Sequence, residues 1–251
     1  MNLSKWFVQP DELGSMDRVC LLEVTEDVTN EIETDDNNNY WKYRSFDEIR
    51  TILQTKYHIS QDTPVVLYTR EKLMAAARFA WLLHWIGCDH IRILIGHLDL
   101  SMDIPRRLET GSLPHRPLRP EVRITCCQLA EERVSPTSQW IDVRTYAEYA
   151  GEITGYPFVR HAGRIPGFEY DPLDGIYGEL DGTVTWQELE ECLRAMLTTH
   201  RHQPNVKRIV YMCGTGWRAS LSAIFADILG LAETIVLLDL GWFEWSEKYL
   251  S

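Results

Sequence analysis

Strand-like and helix-like apolar patterns alternate along this chain, and the alternation occurs twice. The runs "VCLLEV" (19–24), "PVVLY" (64–68), "IRILI" (91–95), "QWIDV" (139–143), "RIVYM" (208–212) and "TIVLLDL" (234–240) are short and rich in β-branched residues or leucine. Such runs suit strands buried on both faces. A helical pattern precedes the third run and the sixth. Leu221, Ile224, Phe225, Ile228 and Leu229 recur at i, i+3, i+4, i+7 and i+8, and Gly230 stands where a left-handed cap belongs. The stretch "LMAAARFAWLLHWIG" has the same character and ends at Gly87. Strands joined through helices imply βαβ units and a parallel sheet. The expectation is an α/β chain of two doubly wound parallel-sheet domains, 1–100 and 121–251. The interval 101–120 carries four prolines and no apolar period, and reads as the linker.

Laid on each other, the halves correspond as an internal repeat, "LLEVT" (21–25) with "WIDVR" (140–144) and "VVLYTREKLMAAARFAWLLHWIG" with "IVYMCGTGWRASLSAIFADILG". Their chemistry is unequal. Thr69 stands where the second half has Cys213, and Thr25 where it has Arg144. The first half is therefore expected to be silent and the second equipped for catalysis.

In the second half, "CGTGWR" (213–218) joins a strand end directly to a helix. Open α/β sheets place ligands at the carboxyl ends of their strands. Backbone N–H groups at such a turn can converge on one point, and the helix N-terminus adds partial positive charge. Gly214 and Gly216 remove side chains that would obstruct that convergence. Together these stabilise an anion on Cys213 Sγ and activate it as a nucleophile, or hold a persulfide there. Cys88, Cys126, Cys127 and Cys192 lie at helix ends, beside a strand or on a helix, and read as structural.

The formal charge is −12, from 25 basic and 37 acidic residues. That balance argues against nucleic acid and anionic membrane surfaces as partners. No apolar run approaches the roughly 18 residues of a spanning helix, and the N-terminal residues lack the apolar stretch of a secretory signal. The six cysteines show no CxxC pair and no metal spacing with the histidines. A cytoplasmic protein without metal or organic cofactor is expected.

Four segments, "IDVRTYAEYAGE" (141–152), "RHAGRIPG" (160–167), "CGTGWRAS" (213–220) and "LDLGWFEW" (238–245), occur in the order found in the catalytic domain of rhodaneses. The second half thus resembles that domain, and the first half resembles the inactive N-terminal domain of tandem rhodanese-like sulfurtransferases. The resemblance implies a persulfide on Cys213 and transfer of sulfane sulfur from a small anionic donor such as thiosulfate to cyanide or a thiol, including a protein thiol. Two departures leave the donor open between thiosulfate and 3-mercaptopyruvate. Gly214 stands where thiosulfate enzymes carry a cation after the cysteine. Glu148 stands where mercaptopyruvate enzymes carry a second arginine.

By the same resemblance Arg144 should approach the loop and hold the anionic donor; the alternative is an ion pair with Asp142 or Glu148. Arg218 closes the loop; it either adds positive field at Sγ, in contact with substrate, or pairs with Asp142 and holds the loop shut. Gly214, Thr215, Gly216 and Trp217 form the rest of the substrate cradle, with Trp217 as a wall. His161 is expected to fix the turn before Pro166, and Trp242 and Trp245 to pack the domain. Two rivals remain. A cysteine phosphatase needs five residues between Cys and Arg, against four here, and a persulfide carrier would not turn over small donors.

Overall fold

The structure is a computed structural model that describes residues 1–16, 19–34, 42–98, 111–132, 135–171, 180–199, 203 and 205–250. Residues 101–110 of the expected linker lie outside them. The chain forms two compact units, one of Met1–Pro120 with Leu180–Leu189, the other of Glu121–Glu179 with Glu190–Ser251.

In the first unit the described elements run β1 (Phe7–Val8), α1 (Pro10–Leu13), β2 (Cys20–Glu23), α2 (Glu26–Ile32), β3 (Glu33–Thr34), β4 (Lys42–Tyr43), α3 (Phe46–Thr55), β5 (Val65–Tyr68), α4 (Leu73–Ile86) and β6 (Ile91–Leu94). The main sheet has the order β1-β6-β5-β2 and is parallel throughout. In the second unit follow β7 (Arg123–Ile124), α5 (Cys126–Glu131), β8 (Ser138–Asp142), α6 (Tyr146–Ala150), β9 (Glu169–Tyr170), α7 (Trp186–Thr199, whose first residues belong with the first unit), β10 (Arg208–Met212), α8 (Trp217–Leu229), β11 (Thr234–Leu238) and α9 (Gly241–Tyr249). Its sheet has the order β7-β11-β10-β8-β9, again parallel. Without β9, the second order repeats the first strand for strand.

The α/β expectation holds, and all six strands read from the sequence are present. They are continuous apolar runs because both faces are covered; Val65, Val66 and Leu67 on β5 and Ile209 to Met212 on β10 are all buried. Gly87 and Gly230 close α4 and α8 in the left-handed conformation, as read. The strands that escaped notice, β1, β3, β4, β7 and β9, are two residues long, too short to show a period.

In the second sheet the chain moves from β8 outward to β9, but from β10 the opposite way to β11. With right-handed crossovers, the helices that follow β8 and β10 leave on opposite faces. The crevice at such a reversal is where open α/β sheets bind ligands. The residues after Asp142 and after Met212, which pair across β8 and β10, therefore flank that position.

The core of this unit includes Ile124, Cys126, Trp140, Val210, Met212, Val236, Leu238 and Trp242, with Trp245 packed against it. Segment 180–189 is bonded into the first unit: Leu73 N donates to Leu180 O (2.9 Å), Gly182 N to Glu71 O (3.2 Å) and Gly96 N to Gly182 O (3.2 Å). Among the described residues no helix is long and apolar enough to cross a membrane.

Candidate active site

Cys213 leaves the end of β10, and Gly216, in the left-handed conformation, caps α8 three residues on. The Gly216 N–H donates to Cys213 Sγ at 3.1 Å. The sulfur thus receives a backbone donor at a helix N-terminus. Cys213 is 0% exposed. Ser220 Oγ donates to Gly216 O (2.8 Å) and secures the first turn of the helix.

The turn into α9 supports the loop from behind. Trp242 N donates to Cys213 O (2.9 Å) and Phe243 N to Gly214 O (3.0 Å). Gly241 has φ +47, and a Cβ on it would lie 2.0 Å from Cys213 O. Only glycine allows the two chains to pass so closely. The sequence pattern singled out "GWFEW" for its tryptophans, whereas its glycine carries the contact.

The two loop arginines are both engaged, each by a different carboxylate. Arg144 pairs with Asp142 through Nε to Oδ1 (3.0 Å) and Nη2 to Oδ2 (2.7 Å), and both side chains are 0% exposed. Its Nη2 also donates to Gly163 O (2.8 Å), and the guanidinium lies 4.9 Å from the Trp242 ring centroid. Arg144 Nη1 is buried without a hydrogen-bond partner among the described residues. Of the two roles weighed for Arg144, the geometry displays the ion pair with Asp142.

Arg218 does not reach Asp142, which corrects the expectation that the two would pair. It sits in the first turn of α8 and forks onto Glu148 of α6, Nη1 to Oε2 and Nη2 to Oε1, both 2.8 Å. Asp142 is already saturated by its neighbour two residues on, and Glu148 is the carboxylate left over. Glu148 Oε2 also accepts from Thr145 N (3.0 Å) and Thr145 Oγ1 (2.9 Å), forming a capping box on α6. Burial alone would raise the Glu148 carboxyl, but Arg218 and Thr145 together hold it below its ordinary value. Burial opposes charge on Arg218 too, and its bonds to Glu148 with the nearby Cys213 carry it upward instead.

Tyr156 is the residue the sequence reading missed. A Cβ on Gly214 would lie 2.1 Å from Tyr156 Cε2, so the ring occupies the space a side chain there would need. Tyr156 OH accepts from Arg218 Nη2 at 3.4 Å. Burial and the negative charge of Cys213 push its phenol above the ordinary value, against the lowering influence of Arg218 and the Thr215 hydroxyl. The glycine where thiosulfate enzymes carry a cation thus has a steric cause in this chain.

His161 takes part through its backbone, whose carbonyl accepts from Trp242 Nε1 (2.8 Å). Trp217 begins α8 half-buried, and Thr215 is buried in the loop. Cys88 and Cys126 are buried; burial pushes the Cys88 thiol up to about 12 and raises that of Cys126 as well. Cys127 departs from its structural reading: it is exposed in the first turn of α5, with Lys248 Nζ against its sulfur. In the first unit Thr69 is buried and its hydroxyl accepts from Glu71 N (3.0 Å), while Thr25 caps α2.

Residues 127–248 match the family described as Rhodanese-like domain. The chain is 27% identical over 234 residues to the thiosulfate sulfurtransferase YnjE of Escherichia coli, covering 87% of this chain and 52% of that protein. It is 28% identical over 194 residues to a probable 3-mercaptopyruvate sulfurtransferase of Pseudomonas aeruginosa, covering 74% and 66%. The chain therefore spans about half the length of the first of these relatives. Among solved structures, an anaerobic ergothioneine biosynthesis enzyme from Chlorobium limicola superposes with a TM-score of 0.71 at 23% identity, covering 93% of this chain and 63% of that one. The crystal structure of YnjE superposes with a TM-score of 0.67 at 22% identity, covering 96% and 66%. The chain is thus similar in sequence to rhodanese-like sulfurtransferases and similar in fold to these solved structures.

Proposed function

We propose that this chain moves sulfane sulfur from a small donor, such as thiosulfate or 3-mercaptopyruvate, to cyanide or a thiol through a persulfide on Cys213. The observation that carries the reading is the 3.1 Å contact from Gly216 N to a buried Sγ at the N-terminus of α8, beside the reversal point of the sheet. With thiosulfate, the Cys213 thiolate attacks the outer sulfur, an S–S bond forms to the enzyme, and the old S–S pair departs with sulfite. The same N–H and helix end then receive the persulfide anion, and the acceptor nucleophile takes the outer sulfur and releases the thiolate.

The bidentate Glu148–Arg218 pair speaks against a phosphatase, because the arginine that would hold phosphate is already committed. In the first unit a buried threonine replaces the thiol at position 69, which supports a silent first half. The reading is tested by incubation with thiosulfate and with 3-mercaptopyruvate in parallel, followed by peptide mass analysis. The Cys213 peptide should gain the mass of one sulfur atom and lose it to cyanide. Full labelling of a Cys213→Ser variant would sink the mechanism.

A further inference from the structure

The charges around the cysteine loop cancel: Arg144 faces Asp142 and Arg218 faces Glu148, with three of the four side chains at most 3% exposed and Arg218 at 16%. Neither arginine is available as a proton source, because both are permanently charged and both are held. Tyr156 is different. Its ring rests on Gly214, its oxygen accepts from Arg218 Nη2, and Thr215 of the loop brings a hydroxyl beside it. Arg218 can only donate to the phenol oxygen, so that bond leaves the phenol its own proton. The bond from Arg218 stabilises the phenolate left behind once that proton is given up. Burial and the Cys213 charge keep it protonated at neutral pH.

We propose that Tyr156 is the acid of this site, giving a proton to the oxygen of a leaving enolate when the sulfur donor is a β-mercapto carbonyl compound. The inference rests on the persulfide reading of Cys213. With 3-mercaptopyruvate the Cys213 thiolate supplies the electron pair of a new S–S bond, and the C–S pair stays with carbon. Carbon is thereby reduced and the cysteine sulfur oxidised to the persulfide level. The enolate oxygen takes the proton of Tyr156, and the nascent Cys213–S–SH returns one to the phenolate. The enol then becomes pyruvate, and the enzyme is left as Cys213–S–S⁻. Thiosulfate releases sulfite, an anion stable without a proton, so its cleavage places no such demand on Tyr156.

The test is Tyr156→Phe, which keeps the ring over Gly214 and removes only the hydroxyl. Single-turnover loading of Cys213 is followed by mass with 3-mercaptopyruvate, thiosulfate and inorganic polysulfide. Loss of a positioned acid costs about 100-fold or more in the loading rate from 3-mercaptopyruvate. That loss should exceed the loss with thiosulfate by at least tenfold. Equal losses with both would make Tyr156 a packing residue and overturn the proposal, as would no loss with either. Wild-type protein that loads from polysulfide or thiosulfate but never from 3-mercaptopyruvate would overturn the proposal and spare the persulfide. Failure to load from any of the three would remove both.

Discussion

Replacing Arg144 by methionine separates a donor clamp from a structural brace. The Arg144–Asp142 pair is 0% exposed on both sides and is held by contacts of 3.0 and 2.7 Å, with a further 2.8 Å bond to Gly163 O. Without the guanidinium, the Asp142 carboxylate keeps, among the described residues, only the bond from Arg144 N to Oδ1 (3.0 Å). A buried charge stripped of its partner costs about 3–5 kcal/mol. That is a fifth or more of the roughly 5–15 kcal/mol that holds an ordinary domain folded. At about 2–4 °C per kcal/mol for a chain of this size, the melting transition of the second unit should fall by on the order of 10 °C. Urea unfolding followed by tryptophan fluorescence measures the loss, and the partner variant Asp142→Leu/Arg144→Met supplies the comparison. With the orphaned carboxylate also gone, much of the stability should return, giving a coupling of roughly 3 kcal/mol or less between the two positions. Activity should fall in both sulfur loading and sulfur discharge, because the brace shapes the loop. An Arg144→Met protein as stable as wild type, with a raised KM for thiosulfate alone, would refute the argument and restore the clamp.

Lowering the pH should expose the Glu148–Arg218 pair. The folded-state carboxyl lies below its ordinary value of 4.5, so its contribution is complete above that value and fades as the pH falls through the folded-state value. Unfolding midpoints from pH 7 to 3 should drop more steeply for wild type than for Glu148→Gln; parallel curves would count against the pair. Gly241→Ala places a Cβ 2.0 Å from Cys213 O at φ +47, and should destabilise the second unit by about 1–3 kcal/mol and slow loading of Cys213 at least tenfold. Unchanged loading would show that the turn does not set the loop.

The elements that could be read from the chain are those whose signal is local. β10, α8 and the left-handed Gly230 declare themselves within some twenty residues, and so does the cysteine at their joint. The partners of the site do not. Asp142 and Glu148 are both within reach of the alternatives weighed, and only the three-dimensional placement of α6 against the first turn of α8 decides that Arg218 takes Glu148. Tyr156 lies 57 positions before Cys213, in a segment without apolar period, and its consequence is visible only as a glycine at 214. Glu148 itself was noticed as a departure from a familiar pattern; its meaning came from the arginine it neutralises.

Segment Leu180–Leu189 gives the chain a history as well as a shape. Its backbone supplies bonds to Glu71, Leu73 and Gly96, and Gly182 lies so close to the first unit that a Cβ would meet Thr69 O at 1.7 Å. A ribosome adds roughly 5–20 residues per second, so about 4–14 s separate the synthesis of residue 120 from that of residue 189. Throughout that interval the first sheet exists without the strap that covers the loop after β5. The N-terminal unit is thus the first to be begun, yet it stays incomplete until about half of the second unit has been made.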